Sequence, residues 1–284
     1  MKFSSGTFLA GPVPHDAAGR RRDIAECEQI LRSLGPEPDG DAAAESGVAL
    51  WRLGEDLLGE QRLAAAADRF SEAAEILGRF EQLREIELQA RFRQGTVLAE
   101  LGRNEEAMPA LETVVRAITP DIPEDGALGT VAASAVSLWL SVLEKVGDSA
   151  RAEAAAREIS ERFGSGASGQ QRLLTATALA WHGRIALSTG RHELALSIFD
   201  DVIRRVSPER DPEFRTLDIE VSVKRARALE EGGRSVEALA AYHDCLSAPK
   251  RSTVLSRAEL VAAEDSAAEA RRSIKRLKRA GHRL

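Results

Sequence analysis

Apolar residues along this chain recur at steps of three and four, the spacing that places them on one face of a helix. Leu50, Leu53 and Leu57 mark one such face, and Ile24, Cys27, Ile30, Leu31 and Leu34 mark another. Asp16 stands where it caps the helix carrying the second set, and Gly35-Pro36 ends it. No stretch alternates apolar and polar residues and then turns as a hairpin would. The pattern predicts an all-α chain.

The interruptions between helices are periodic. Gly102, Gly147, Gly190 and Gly233 are followed five residues later by Ala107, Ala152, Ala195 and Ala238. Four residues further come Leu111, Ala156, Phe199 and Tyr242, and seven before the glycines stand Gly95, Leu140, Gly183 and Ala226. Gly54, Ala66 and Phe70 join the same lattice, with Gln61 where the glycine would be, so the alanines from Ala66 onward are 41, 45, 43 and 43 residues apart. Periods of about 20–50 residues are the mark of solenoids and arrays. A glycine just past a helix end takes the left-handed conformation, so each unit reads as helix, tight turn, helix. Five units occupy 42–82, 83–126, 127–169, 170–212 and 213–250. Small residues let two helices approach closely, and the bulky residue is expected to fill the groove toward the next unit. The third unit reverses the sizes, with Leu140 at the small position and Ala156 at the bulky one, which reads as a volume-conserving exchange.

This lattice resembles the tetratricopeptide repeat family. The positions that carry the likeness are Gly183, Gly190, Ala195, Phe199 and Val202 in the fourth unit, and Gly54, Ala66, Phe70 and Ala73 in the first; it covers residues 45–250. The family period is 34 residues, and the excess of about 7–11 here equals roughly one further turn on each helix plus a longer link. That long form is similar to the repeats of kinesin light chains and of several bacterial regulators and peptide sensors. The resemblance implies a right-handed α-solenoid. Residues 1–15 would be a loose arm, 16–41 an N-terminal capping helix and linker, and 251–284 a C-terminal capping helix that docks through Val254, Leu255, Leu260 and Val261.

The family also implies a concave groove, lined by the first helices, that holds a peptide or protein segment. Carried over unit by unit, its positions are Trp51, Arg52 and Glu55; Phe92, Arg93 and Thr96; Ser137, Ser141 and Glu144; Trp181, Arg184 and Ser188; and Lys224, Arg227 and Glu230. Trp and Arg dominate binding hot spots, although Trp51 and Trp181 also suit the packing of long helices. Family members that clamp a terminal carboxylate use lysine and asparagine at particular groove positions. Trp51 and Glu55 occupy the first two here, which argues against that subtype.

Charge is unevenly spread. Residues 271–284 carry seven Lys and Arg and no acid, whereas residues 1–270 carry 32 Lys and Arg against 45 Asp and Glu, a net −13. The basic segment suits an acidic protein, a membrane surface or nucleic acid, or else simply complements a helix macrodipole; the acidic remainder repels a nucleic-acid backbone. Cys27 and Cys245 lack the grouping of a disulfide framework or zinc site. The opening residues are too short in apolar run for a secretory signal and no later run is long enough to span a membrane, so the cytoplasm is the expected compartment.

Candidate chemistry is sparse. Gly164, Gly166 and Gly169 match GxGxxG, but a dinucleotide loop follows a strand, and the residues before these read as helix, so this is a linker. His182 and His192 flank one turn without a carboxylate at ligand spacing, and Glu105-Glu106 and Glu230-Glu231 read as solvated charge. No catalytic residue, metal, cofactor or small-molecule substrate is expected. The expectation is a non-catalytic module that binds a protein or peptide partner. The alternative is a peptide-responsive regulator acting on a partner in trans, and self-association stays open.

Overall fold

A computed structural model describes residues 16–121, 126–166, 168–209, 211–247 and 257–282. Every regular element among them is helical. In order these are α1 (Ala17–Leu34), α2 (Gly40–Gly59), α3 (Leu63–Leu77), α4 (Arg84–Glu100), α5 (Asn104–Ala117) and α6 (Ala127–Lys145), followed by α7 (Ser149–Phe163), α8 (Gly169–Ser188), α9 (His192–Val206), α10 (Pro212–Glu231), α11 (Ser235–Ser247) and α12 (Arg257–Arg279). A 3-10 turn at Glu81–Leu83 leads into α4. The arm expected over 1–15 lies outside the described residues, as do Val254 and Leu255.

The chain forms two compact units, Met1–Gly147 and Asp148–Leu284. In the first, α1 to α6 pack each on the next, and α4 also touches α6. In the second, α7 to α12 do the same, α8 touching α10 and α10 touching α12. Each unit is thus a stack in which a second helix lies between its own first helix and the following one. The boundary falls in the turn of the expected third pair. Leu140 and Ala156, whose sizes are reversed there, are each fully buried.

The turns explain the spacing of the glycines. Gly102, Gly147, Gly190 and Gly233 have φ of 76°, 84°, 76° and 81°, and Gln61 takes φ 61° at the equivalent place. The amide of the residue after the turn then reaches back five residues: Arg62 N–H donates to Leu57 O, Arg103 to Leu98 O, Arg191 to Ala186 O and Arg234 to Leu229 O. This closes the orphan carbonyls at the helix end. Two residues then suffice to reverse the chain, and the alanine five after the glycine is shut away from solvent. Ala66, Ala107, Ala152, Ala195 and Ala238 are all fully buried.

Phe70, Leu111 and Phe199 cover the small position of their own pair. A methyl group on Gly54 would lie 2.6 Å from the Phe70 ring, one on Gly95 2.5 Å from Leu111, and one on Gly183 2.5 Å from the Phe199 ring. Small and bulky positions are therefore one contact, repeated.

At the start of the chain, Asp16 accepts the Gly19 amide at 2.7 Å and α1 ends at Gly35 with φ 79°, as the sequence predicts. Leu50, Leu53 and Leu57 are buried. The docking of α12 differs from expectation. Val261 is 53% exposed, and the docked face is made by Ala263, Ala270, Ile274 and Leu277; the side chain of Leu260 is outside the described set.

Candidate functional site

First helices offer the groove positions, and the structure divides these into three kinds. Arg52 is a correction. Its side chain is buried, and its Nε donates to Asp23 Oδ2 of α1 at 2.7 Å, so it locks the first helix of the stack to α1 and is not presented to a ligand. Asp56, one turn on, is also fully buried and faces the same pair. Burial, with Asp23 beside it, pushes the Asp56 carboxyl up to about 7. Both carboxylates cannot ionise around one guanidinium without cost. Cys27 adjoins them, and burial pushes its thiol up to about 12.

The second kind remains accessible. Trp51 and Phe92 are half-buried, Trp51 resting on the core formed by Val48, Ala49, Leu77 and Ala90. Its Nε1 finds no hydrogen-bond acceptor among the described residues. Glu55 pairs with Arg93 at 2.7 Å, bridging α2 and α4, and the Arg93 side chain keeps 43% of its surface exposed. Burial raises the Glu55 carboxyl while Arg93 pulls it back. Thr96 donates its hydroxyl to Phe92 O, and Ser137 and Ser141 of α6 are half-buried. Trp51 with Glu55, and Phe92 with Thr96, are separated by four residues, which keeps each pair on one helix face.

The third kind lies in the second unit. Trp181 is buried, 5% exposed, which corrects its place in a ligand-facing groove; it acts instead as a platform, with the Arg184 guanidinium 3.8 Å above its ring. Glu220 is within electrostatic reach of both Arg184 and Lys224. Lys224 bonds to Glu269 of α12 at 2.8 Å, and Arg227 to Glu231 at 2.6 Å. Every cation assigned to the groove is thus held by an acid or a ring of the chain itself.

Glu230 departs from the solvated charge expected of it. It accepts the Tyr242 hydroxyl at 3.0 Å and the Nε and Nη2 of Arg276, each at 2.9 Å, joining α10, α11 and α12. His182 does have a carboxylate: its Nε2 lies 3.3 Å from Glu153, which also takes a two-pronged bond from Arg191 at 2.9 and 2.7 Å. Burial lowers the His182 pKa despite Glu153. Among the described residues no three His, Cys, Asp or Glu converge as a metal site. The GxGxxG segment connects two helices, and the Ser168 hydroxyl caps the second by accepting the Gln171 amide. No helix among the described residues is long and apolar enough to cross a membrane.

Sequence reading missed the arginine that follows the turn. Arg103 and Arg234 each grip the glutamate three residues on, Glu106 and Glu237, through two bonds, and Arg191 grips Glu153. The signal was present as Gly-Arg at 102–103, 190–191 and 233–234. Asp23 was also visible, as a charge on the apolar face of Cys27 and Ile30.

No family model matches the chain, and no curated protein matches its sequence. Among solved structures, BtubC (BKLC) from P. vanneervenii is similar over 100% of this chain and 95% of its own. The TM-score is 0.53 at 12% sequence identity. The likeness is one of fold.

Proposed function

We propose that this chain is a non-catalytic protein-interaction module of tetratricopeptide type that holds a segment of another protein along its first helices. The observation that carries the reading is the face of α2 and α4. There two half-buried aromatics, Trp51 and Phe92, flank the Glu55–Arg93 pair, whose arginine is the exposed partner, and large flat side chains with a neighbouring arginine are what dominates binding energy in interfaces. Because the groove cations are internally paired, the partner it suits is amphipathic, not strongly acidic. An incoming carboxylate would have to displace Glu55 to reach Arg93. The two cysteines are free thiols, as the reducing cytoplasm allows, and the reading places the protein there.

Calorimetric titration of a panel of amphipathic helical peptides against wild type, Phe92→Ala and Arg93→Ala tests this. A peptide that binds should lose about tenfold or more in affinity to Phe92→Ala, the loss typical of a hot-spot residue. Affinity unchanged by both substitutions would remove the face from consideration.

A further inference from the structure

The cations of α12 behave differently from those of the first helices. Arg276 is taken by Glu230, but Arg271, Lys275, Lys278 and Arg279 are exposed and make no ion pair among the described residues. They follow one another at i, i+4, i+7 and i+8, a single stripe along the helix. The stripe borders a shallow, open pocket of about 490 Å3 between α11 and α12, whose apolar lining is Leu246 and Ile274, with His243 beside them. We propose that this pocket and its basic rim form a docking site for an acidic amphipathic helix of a partner protein, with an apolar side chain in the pocket and carboxylates on the stripe.

Charge and shape select this occupant. The macrodipole accounts for cations only in the last turn of a helix, which covers Lys278 and Arg279 but leaves Arg271 and Lys275 one to two turns too early. Arg271 to Arg279 spans about 12 Å of axis at the helical rise, so two turns of a partner helix with acids at i, i+4 and i+7 would match it. An apolar lining has no counterpart on a phosphate backbone, whose recognition rests on charge. The net −13 of residues 1–270 opposes approach to duplex DNA or an anionic bilayer as a whole, whereas a single helix engages the stripe alone. The site is distinct from the α2 and α4 face, so it stands whether or not that face binds.

Fluorescence anisotropy with a labelled helical peptide of glutamates and leucines at these spacings is the test, using the full chain at several salt concentrations. Binding should weaken with salt. It should fall about tenfold or more in Lys275→Glu with Lys278→Glu, as for reversed rim charges opposite an acidic partner. Circular dichroism of the double variant should match wild type; if helicity is lost, Lys275→Ser with Lys278→Ser replaces it, and a weaker but clear loss is expected. The same peptide with serine for leucine should bind at least several-fold less well. Equal binding of the serine peptide, indifference to the charge changes, no binding of the leucine peptide, or tighter binding of duplex DNA or phosphatidylserine vesicles would each overturn the proposal.

Discussion

Two residues in the first unit carry unfavourable states that substitution can expose. Gln61 is the one non-glycine described residue with positive φ, at the place the other turns give to glycine. A side chain there costs about 1–2 kcal/mol in the left-handed region, while glycine would bring back part of that as unfolded-state entropy. Gln61→Gly should therefore raise stability by about 0.5–1 kcal/mol, read as a higher urea midpoint at constant slope. A lower midpoint would mean that the Gln61 side chain contributes more than its backbone costs. Asp56 is the second. Its folded-state pKa of about 7 lies above the ordinary 3.8, so between those values the folded chain holds a proton that the unfolded chain has released. Stability from this group is lowest above pH 7 and rises as pH falls toward 4. Asp56→Asn should melt higher than wild type at pH 8, and the gap should close as pH falls to 5. A gap that does not change with pH would show that Asp56 is not the titrating group.

Among elements, the recurring contact is a second-helix bulky side chain against a first-helix glycine. Gly183→Ala would drive a methyl into the Phe199 ring at 2.5 Å, a kind of overpacking that costs about 1–3 kcal/mol, against about 1 kcal/mol gained in helix propensity. Loss of stability is expected, and the added cost of Gly183→Ala should be smaller in a Phe199→Ala background, because alanine leaves room for the methyl. A double-mutant cycle in urea should give a coupling of about 1 kcal/mol; simple additivity would show that the two positions do not share a contact. The residues of this contact could be picked out from sequence alone because backbone geometry admits so few residue types at a turn and at a close crossing. That Phe70 and Phe199 lie on the glycine of their own pair could not, since the spacing fits a contact on either side. Nor could the ion pairs that consume the groove cations. Asp23 and Arg52 are 29 residues apart, Lys224 and Glu269 45, and Glu230 and Arg276 46. The last two are about one repeat apart, so their partners are set by how one pair stacks on the next.

For the molecule as a whole, the alanine lattice runs unbroken through five units of sequence while the folded chain parts at Gly147, inside the third. Nothing in the period marks that place. What does mark it is composition: the third pair alone has a large residue at the small position and a small one at the bulky position, so it lacks the glycine-on-ring contact of the first and fourth pairs. In a stack, stability is a sum of unit and nearest-neighbour terms, and disturbance of one contact fades along the chain of neighbours. Hydrogen exchange read by mass spectrometry can see this directly, because local opening is reported peptide by peptide. In Gly183→Ala, protection should fall most in α8 and α9, less in α10, and remain at wild-type level in α2 and α3. Uniform loss across all of these helices would mean that the chain opens as one cooperative block, and the lattice would then describe its sequence but not its energetics.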